Sequence, residues 1–156
     1  MKSLVKKVVN KLIKKKLTIS IAESCTGGLL SSHFTQIPKA SETYTFGVIT
    51  YSNESKNKFL KISKKFISKY GSVSKQTCIL MAKNLNRLTK TDISISITGI
   101  AGPSGGSSNK PIGLVYVGTK FKNKLICKKL LIKNKSRNYI QSQAVKKTLK
   151  LISNFI

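Results

Sequence analysis

The stretch LTISIAESCTGG, residues 17–28, joins a short apolar segment to a cluster of reactive side chains and two glycines. Residues 17–22 are predicted to form a β-strand, because they are an apolar run of strand length that ends in polar and glycine residues. The apolar positions that follow predict a helix over residues 27–37. The acid, hydroxyl and thiol groups of AESCTGG therefore lie where a strand ends and a helix begins.

The rest of the chain repeats this alternation of strands and helices. Further helices are predicted at residues 2–16, 53–60, 64–70, 75–88 and from about 137 to the end, and further strands at 44–51, 92–98, 112–121 and 125–133. Asn53 and Ser74 are predicted to cap helices, and Gly71 to end one. Strands alternating with helices, followed by one hairpin, predict an α/β domain with a mixed sheet. At 156 residues without a repeat or linker, the chain is expected to form a single domain.

The first residues, MKSLVKKVVNKLIKKK, predict an amphipathic helix rather than a targeting segment. Lysines interrupt the apolar run that a secretory signal needs, and no apolar stretch approaches the roughly 20 residues that span a bilayer. Packing of this helix on the domain is favoured over a position on a membrane surface, because a strand follows at once. We therefore expect a cytoplasmic protein that does not use a membrane.

The net charge is +26, from thirty lysines and arginines against four acids. Such an excess suggests a nucleic-acid partner. Only Arg87 and Arg137 are arginines, however, and the lysines are spread evenly without interleaved aromatic residues. A solvated lysine-rich surface is therefore favoured over a dedicated nucleic-acid face, with non-specific binding expected at low salt.

The three cysteines, at 25, 78 and 127, are scattered and form no CxxC pair. This pattern indicates reduced thiols rather than a disulfide framework or a zinc site. Cys78 and Cys127 lie in apolar segments and are predicted to be core residues.

Three polar or glycine-rich segments follow predicted strands: AESCTGG, YSNESK (51–56) and TGIAGPSGG (98–106). In open α/β sheets, ligands collect at the carboxyl ends of the strands. One such segment is explained equally well as a turn, whereas three at equivalent positions favour a site.

Few side chains are available to activate a nucleophile at this edge. His33 is the only histidine, and it lies about 10 Å along the helix from Ser24, given the rise per residue. One histidine, four acids and three separated thiols do not supply a metal site, so no metal or cofactor is expected. Glu23 adjoins Ser24, but a carboxylate is a weak base toward a serine.

Lys56 remains as the base. It lies in the first turn of a short helix, where the helix dipole, the positive net charge and partial burial all disfavour its charged form. These effects together bring a lysine pKa toward the ~7–8 that lysine bases reach. Ser24 with Lys56 is the arrangement that the residues permit, and backbone N–H groups of residues 26–28 or 99–101 are candidate oxyanion donors. Cys25 is the rival nucleophile, because its thiolate is favoured near a helix N-terminus.

At the same segments the sequence resembles the CinA C-terminal, or nicotinamide-nucleotide amidase, family. The matching motifs are AESCTGG, GVITYSNESK, YGSVS (70–74), TGIAGPSGG and KPIG (110–113), in order and at the spacing of the family. The resemblance extends from about Leu4 to the last helix. It implies a three-layer α/β/α sandwich, a homodimer, and hydrolysis of nicotinamide mononucleotide to nicotinate mononucleotide and ammonia in pyridine-nucleotide salvage. Many members carry a further N-terminal domain, and this sequence resembles the amidase domain by itself.

The resemblance also assigns roles to single residues. Ser24 matches the nucleophile and Lys56 the general base. The positions that match the substrate site, directly or as part of its motifs, are Thr26, Gly27, Gly28, Tyr51, Asn53, Thr98, Gly99, Gly102, Gly105, Gly106 and Arg137. The glycine pair after Thr26 is expected to let the backbone approach the substrate, and Thr26 itself to cap the helix or bind the ligand. Arg137 is suited to the substrate phosphate, because a guanidinium pairs with two phosphate oxygens.

Three positions depart from the family pattern. Ser104 stands where the glycine loop usually has Asp, Lys135–Ser136–Arg137 replaces GDR, and Gln141 replaces a further basic residue. Two alternatives to the amidase stay open, the first suggested by the basic surface and the second by these departures. One is a basic nucleic-acid or competence-associated binding protein, and the other is a catalytically degenerate relic of the amidase fold.

Overall fold

The computed structural model describes residues 1–133 and 136–156 and contains a five-stranded sheet with helices on both faces. The elements in chain order are α1 (Lys2–Lys14), β1 (Ile19–Glu23), α2 (Leu29–Thr35), a 3-10 helix (Ala40–Glu42), β2 (Tyr44–Ile49), α3 (Asn53–Leu60), α4 (Lys64–Tyr70), α5 (Lys75–Thr89), β3 (Ile93–Gly99), β4 (Leu114–Phe121), β5 (Lys124–Leu131) and α6 (Arg137–Phe155). The predicted α/β class with a mixed sheet is confirmed.

The strand order is β2-β1-β3-β4-β5. Strand β1 pairs in parallel with both β2 and β3, whereas β3–β4 and β4–β5 are antiparallel. Parallel strands end at the same edge of a sheet. The three segments that follow β1, β2 and β3 are therefore brought together at one edge.

The two faces of the central strands differ in polarity because side chains alternate along a strand. One face is aliphatic and packs against α1, α2 and α6; its central residues are Ile19, Ile21, Ile93, Ile95 and Ile97. The opposite face carries buried hydroxyls that satisfy one another: Ser20 Oγ lies 2.9 Å from Ser94 Oγ and 2.8 Å from Thr91 Oγ1. Helix α5 covers this face. The three layers are thus helices, sheet and helices.

Helix α1 buries its apolar side chains completely against the domain, at Val5, Val8, Val9 and Leu12. It packs against α6 and α2, so other helices of the same domain cover its apolar face. Within residues 1–133 and 136–156, no helix has both the length and the apolar character to cross a membrane.

Local chemistry accounts for several differences from the prediction. Ser52, not Asn53, caps α3: its hydroxyl accepts from the Ser55 N–H at 3.0 Å, and the Ser55 hydroxyl accepts from the Ser52 N–H at 3.1 Å. Helix α2 begins at Leu29 rather than residue 27, because Gly27 and Gly28 adopt positive φ angles of 60° and 94°. Cys78 is a core residue as predicted, but Cys127 is only half-buried.

Candidate active site

The turn after β1 is held by the buried carboxylate of Glu23. Its oxygens accept hydrogen bonds from the backbone N–H groups of Gly28 (3.1 Å), Leu30 (3.1 Å) and Ser31 (2.8 Å). The Ser31 hydroxyl donates a fourth bond at 2.7 Å. A carboxylate at this position satisfies N–H groups that the start of a helix leaves without partners. Glu23 therefore fixes the turn that carries Ser24.

Ser24 and Lys56 are in direct contact. Lys56 Nζ lies 3.1 Å from Ser24 Oγ, and it donates a second hydrogen bond of 2.7 Å to the Thr50 carbonyl. Thr50 is anchored in turn, because its N–H donates to the Glu23 carbonyl at 2.7 Å. The two ends of the pair come from consecutive strand–helix units, β1–α2 and β2–α3, whose strands lie side by side.

Burial changes the proton affinity of Lys56. The side chain is 1% exposed, and this burial lowers its pKa from 10.5 to about 8, with a smaller opposing effect from Cys25. Burial is thus the cause that the structure supports, whereas the helix dipole and the net charge were also expected from the sequence. A lysine with this pKa has a substantial neutral fraction near neutral pH and can accept a proton.

The pair opens into a cavity of about 310 Å³ at the sheet edge. Its described lining residues are Ser24, Cys25, Tyr51, Lys56, Ser72, Val73, Thr98, Gly99, Ile100, Ala101, Gly102, Ser104, Gly105 and Arg137. Both predicted catalytic residues and six of the predicted substrate-site residues are among them. The lining within residues 1–133 and 136–156 carries Lys56 and Arg137 but no carboxylate, so the site favours an anionic ligand.

Arg137, the first residue of α6, spans the cavity. Its Nη1 donates to the Gly102 carbonyl at 2.8 Å, and its Nη2 donates to the Tyr51 hydroxyl at 2.8 Å. The side chain thus connects the loop after β3 to the segment after β2. Arg137 lines the cavity, and its role in binding a phosphate stays a prediction.

The remaining predicted substrate-site residues are not among the lining residues. Gly27 and Gly28 turn the chain into α2, and the Gly28 N–H is bound by Glu23. Asn53 lines a neighbouring cavity of about 580 Å³ with Glu54 and Lys64. A side chain at Gly106 would approach Ile112 Cγ1 to 2.9 Å, so this glycine permits close packing of its loop.

Thr26 is 2% exposed and does not cap α2, whose N-cap position is Gly28. The prediction of a helix cap is therefore wrong. Among the described residues, no group pairs with the Thr26 hydroxyl.

Cys25 does not have the properties of the rival nucleophile. Burial raises the pKa of its thiol to about 12, because an apolar surrounding disfavours the thiolate. Helix α2 begins only at Leu29, so the helix terminus is too far along the chain to offset this burial. The expectation that the Cys25 thiolate is favoured is wrong.

Several of the candidate oxyanion donors are already engaged. The Gly27 N–H donates to the Ser24 carbonyl at 3.0 Å, the Gly28 N–H to Glu23, and the Ile100 N–H to the Leu114 carbonyl at 2.9 Å. Within the part of the chain that the structure describes, the N–H groups of Thr26 and Ala101 have no acceptor. Among the candidate oxyanion donors, these two are therefore free of a partner within the described residues.

The structure also locates the positions that depart from the family pattern. Ser104 lines the cavity, and Gln141 donates from Nε2 to the Cys25 carbonyl at 2.8 Å, which braces the turn after β1. Ser136 occupies the N-cap position of α6, and Lys135 lies outside the described residues. Sequence reasoning did not assign Ser72 and Val73 to the site, although they belong to the matching run YGSVS.

His33 lies on α2, is half-buried and is not among the residues that line the cavity. Across residues 1–133 and 136–156, no three His, Cys, Asp or Glu side chains come close enough to hold a metal ion.

Comparisons with known proteins agree with this architecture. The family model described as the CinA C-terminal domain matches residues 1–156. A CinA-like protein of Kosmotoga olearia is 49% identical over 134 residues, which are 84% of this chain and 32% of that protein. The chain thus spans about a third of the length of the curated relatives it matches.

Solved structures give the same result. The competence/damage inducible protein from Agrobacterium tumefaciens superimposes with a TM-score of 0.93 at 32% identity, over 97% of this chain and 92% of that one. A competence-damaged protein (CinA) superfamily protein from Escherichia coli superimposes with a TM-score of 0.94 at 27% identity, over 99% and 90% of the two chains.

Proposed function

The chain belongs to the CinA C-terminal domain family, and on that premise we propose that it hydrolyses the carboxamide of nicotinamide mononucleotide to nicotinate mononucleotide and ammonia. The observation that carries the proposal is the 3.1 Å contact between Ser24 Oγ and the Nζ of the buried Lys56. A serine beside a lysine of lowered pKa is an activated nucleophile for acyl transfer.

The reaction follows from the positions of these two groups. The neutral Lys56 amine takes the proton of Ser24 as its Oγ attacks the carboxamide carbon. The resulting ammonium returns that proton to the amide nitrogen, so that the C–N bond breaks and ammonia leaves. Water, deprotonated by the same amine, then attacks the acyl-serine, releases the carboxylate product and regenerates Ser24.

The negative charge on the substrate oxygen needs donors that are not used elsewhere. The N–H groups of Thr26 and Ala101 meet this condition among the described residues. Loss of a single such donor lowers turnover by roughly 10²–10³ in other enzymes.

An anionic nucleotide suits the remaining part of the cavity. Arg137 and Lys56 are its charged lining side chains among the described residues. A phosphate bound at Arg137 would contact the same guanidinium that donates hydrogen bonds to the Tyr51 hydroxyl and the Gly102 carbonyl. Substrate binding and the position of the glycine loop are therefore linked through one side chain.

The direct test is release of ammonia and nicotinate mononucleotide from nicotinamide mononucleotide by the purified protein. Ser24→Ala should abolish this hydrolysis, whereas Cys25→Ala should retain most of it because the thiol at 25 is held protonated. A wild-type protein that releases no ammonia would contradict the proposal and favour a degenerate relic. A dead Cys25→Ala variant beside an active Ser24→Ala variant would overturn the choice of nucleophile.

The Lys56→Arg variant distinguishes a general base at this position from a residue that supplies only a positive charge. A guanidinium does not deprotonate in proteins, so this variant should be nearly as inactive as Lys56→Ala. The wild-type rate should rise about tenfold per pH unit up to a pKa of about 8. A robustly active Lys56→Arg enzyme with the same ascending limb would rule out the serine–lysine mechanism.

A further inference from the structure

Two cysteines that the proposed reaction does not use lie side by side between α5 and the hairpin strands. Cys78 is in α5, and Cys127 is in β5 directly opposite Gly118 of β4. Cys127 shares a face of the sheet with its cross-strand partner Gly118, and a Cβ at Gly118 would lie 3.2 Å from Cys78 Sγ. The two thiols are thus close together, and each affects the pKa of the other. A helix residue and an edge-strand residue that are far apart in the sequence thus have neighbouring sulfur atoms.

Gly118 creates the space in which the sulfurs meet. A side chain at this position would place its Cβ 3.2 Å from Cys78 Sγ and 2.8 Å from the Cys78 carbonyl. Because Gly118 is the cross-strand partner of Cys127, its missing side chain lets the sulfur of Cys78 reach across β4 toward β5.

The two thiols have different surroundings. Cys78 is completely buried, and its Sγ lies 3.3 Å from Ser96 Oγ and 3.7 Å from the Ser96 carbonyl. Cys127 is half-buried, which leaves it open to a small reagent. Such a pair has the layout of a reactive thiol with a resolving thiol behind it.

Charge favours the same division of roles. The neighbouring Cys78 thiol has the largest effect and lowers the pKa of Cys127; burial opposes it, and the positive charge of Lys75 adds a smaller lowering effect. Burial raises the pKa of Cys78 above its usual range. Cys127 is therefore the thiol of the pair that loses its proton more readily, and Cys78 the one that keeps it.

We propose that Cys127 and Cys78 form a dithiol modification site, at which a hydroperoxide oxidises Cys127 and Cys78 closes an intramolecular disulfide. The Cys127 sulfur attacks one peroxide oxygen, the O–O bond breaks, and the hydroxide that leaves combines with the Cys127 proton to form water. The Cys78 sulfur then attacks the sulfenic sulfur, the S–S bond forms and the S–O bond breaks. The second hydroxide takes the Cys78 proton, so that the two thiols lose two hydrogens and the peroxide becomes two waters.

The test is oxidation of the purified reduced protein with hydrogen peroxide, followed by alkylation, proteolysis and mass spectrometry. We expect a loss of two hydrogens from the intact mass and a peptide pair joined through Cys78 and Cys127, both reversed by a dithiol reductant. The third cysteine, Cys25, is an internal control, because it is buried with a pKa raised to about 12. It should react with an alkylating reagent about tenfold or more slowly than Cys127.

Two variants identify the order of events. Cys78→Ser should leave Cys127 as a sulfenic or sulfinic acid that forms no intramolecular link, whereas Cys25→Ala should form the same link as the wild type. Accumulation of sulfinic acid at Cys127 in the wild type with Cys78 still reduced would overturn the proposal. A link that involves Cys25, or one between two molecules, would overturn it as well. The readout does not use the amidase reaction, so its outcome is independent of the proposed function.

Discussion

Replacing Lys56 with methionine should change how the stability of the protein depends on pH. Methionine retains an unbranched apolar side chain of similar length but has no titrating group. The Thr50 carbonyl then loses the donor that lies 2.7 Å away in the wild type. An unsatisfied buried acceptor costs about 1–3 kcal/mol, and this contribution is the same at every pH between 7 and 9.

The magnitude follows from the lowered pKa. Lys56 titrates at about 8 in the folded protein, against an ordinary value of 10.5. The unfolded chain therefore binds more protons between these two values, so stability rises with pH across that window. Burial of the charged lysine lowers the free energy of unfolding by roughly 3 kcal/mol below pH 8. At pH 9 this loss is only roughly 2 kcal/mol. The free energy of unfolding of Lys56→Met, relative to wild type, should decrease by about 1 kcal/mol from pH 7 to pH 9.

Urea denaturation at both pH values measures this difference directly. Lys58→Met is the matched control, because Lys58 lies on the same helix but is exposed, so that its replacement removes a lysine without changing a buried site. A difference between Lys56→Met and wild type that stays constant from pH 7 to pH 9 would refute the assignment of a buried lysine with a lowered pKa.

Three further substitutions test other parts of the structure. Arg137→Ala should raise KM for nicotinamide mononucleotide roughly tenfold or more with a smaller effect on kcat, and equal losses on nicotinamide riboside, which lacks the phosphate, would contradict the phosphate role. Glu23→Gln places an amide donor against backbone N–H groups and should destabilise the fold by about 2 kcal/mol or more in urea denaturation; the exposed Glu42→Gln is the control, expected within about 0.5 kcal/mol of wild type. Gly118→Ala should lower the free energy of unfolding by about 1–3 kcal/mol, because its Cβ would meet Ser96 Oγ at 2.4 Å; an unchanged Tm would show that the space is not constrained.

The sequence predicted that Ser24 and Lys56 act together, and their contact in the structure was predictable because the sequence left few alternatives. With one histidine and four acids, a base for Ser24 had to be a lysine, and Lys56 was the lysine in the first turn of a helix that follows a strand at the expected edge. The sheet edge was predictable for the same reason, since each reactive segment came after an apolar run of strand length. These inferences depend on the order of strands and helices, which the pattern of apolar and polar residues predicts well.

The details that the sequence did not predict depend on which way a side chain points. Cys25 lies two residues before Gly27, and only the structure shows that the intervening turn buries its thiol ahead of α2. Asn53 and Ser52 are both good caps, and the partner hydroxyl of Ser55 decides between them. The bonds of Arg137 to Tyr51 and Gly102 join segments far apart in the chain, for which local patterns give no signal.

The separation in sequence between Ser24 and Lys56, the proposed nucleophile and base, has a consequence for refolding. Ser24 and Lys56 are 32 residues apart and meet only when β1 and β2 pair in parallel. A contact of this kind requires a long loop to close before any stabilisation is gained, whereas α1 forms from neighbours in the chain. During refolding, the helical circular dichroism signal should therefore recover before turnover does. Since a slip of one residue would turn every side chain of β1 to the opposite face, the return of activity reports the correct strand register rather than compaction of the chain.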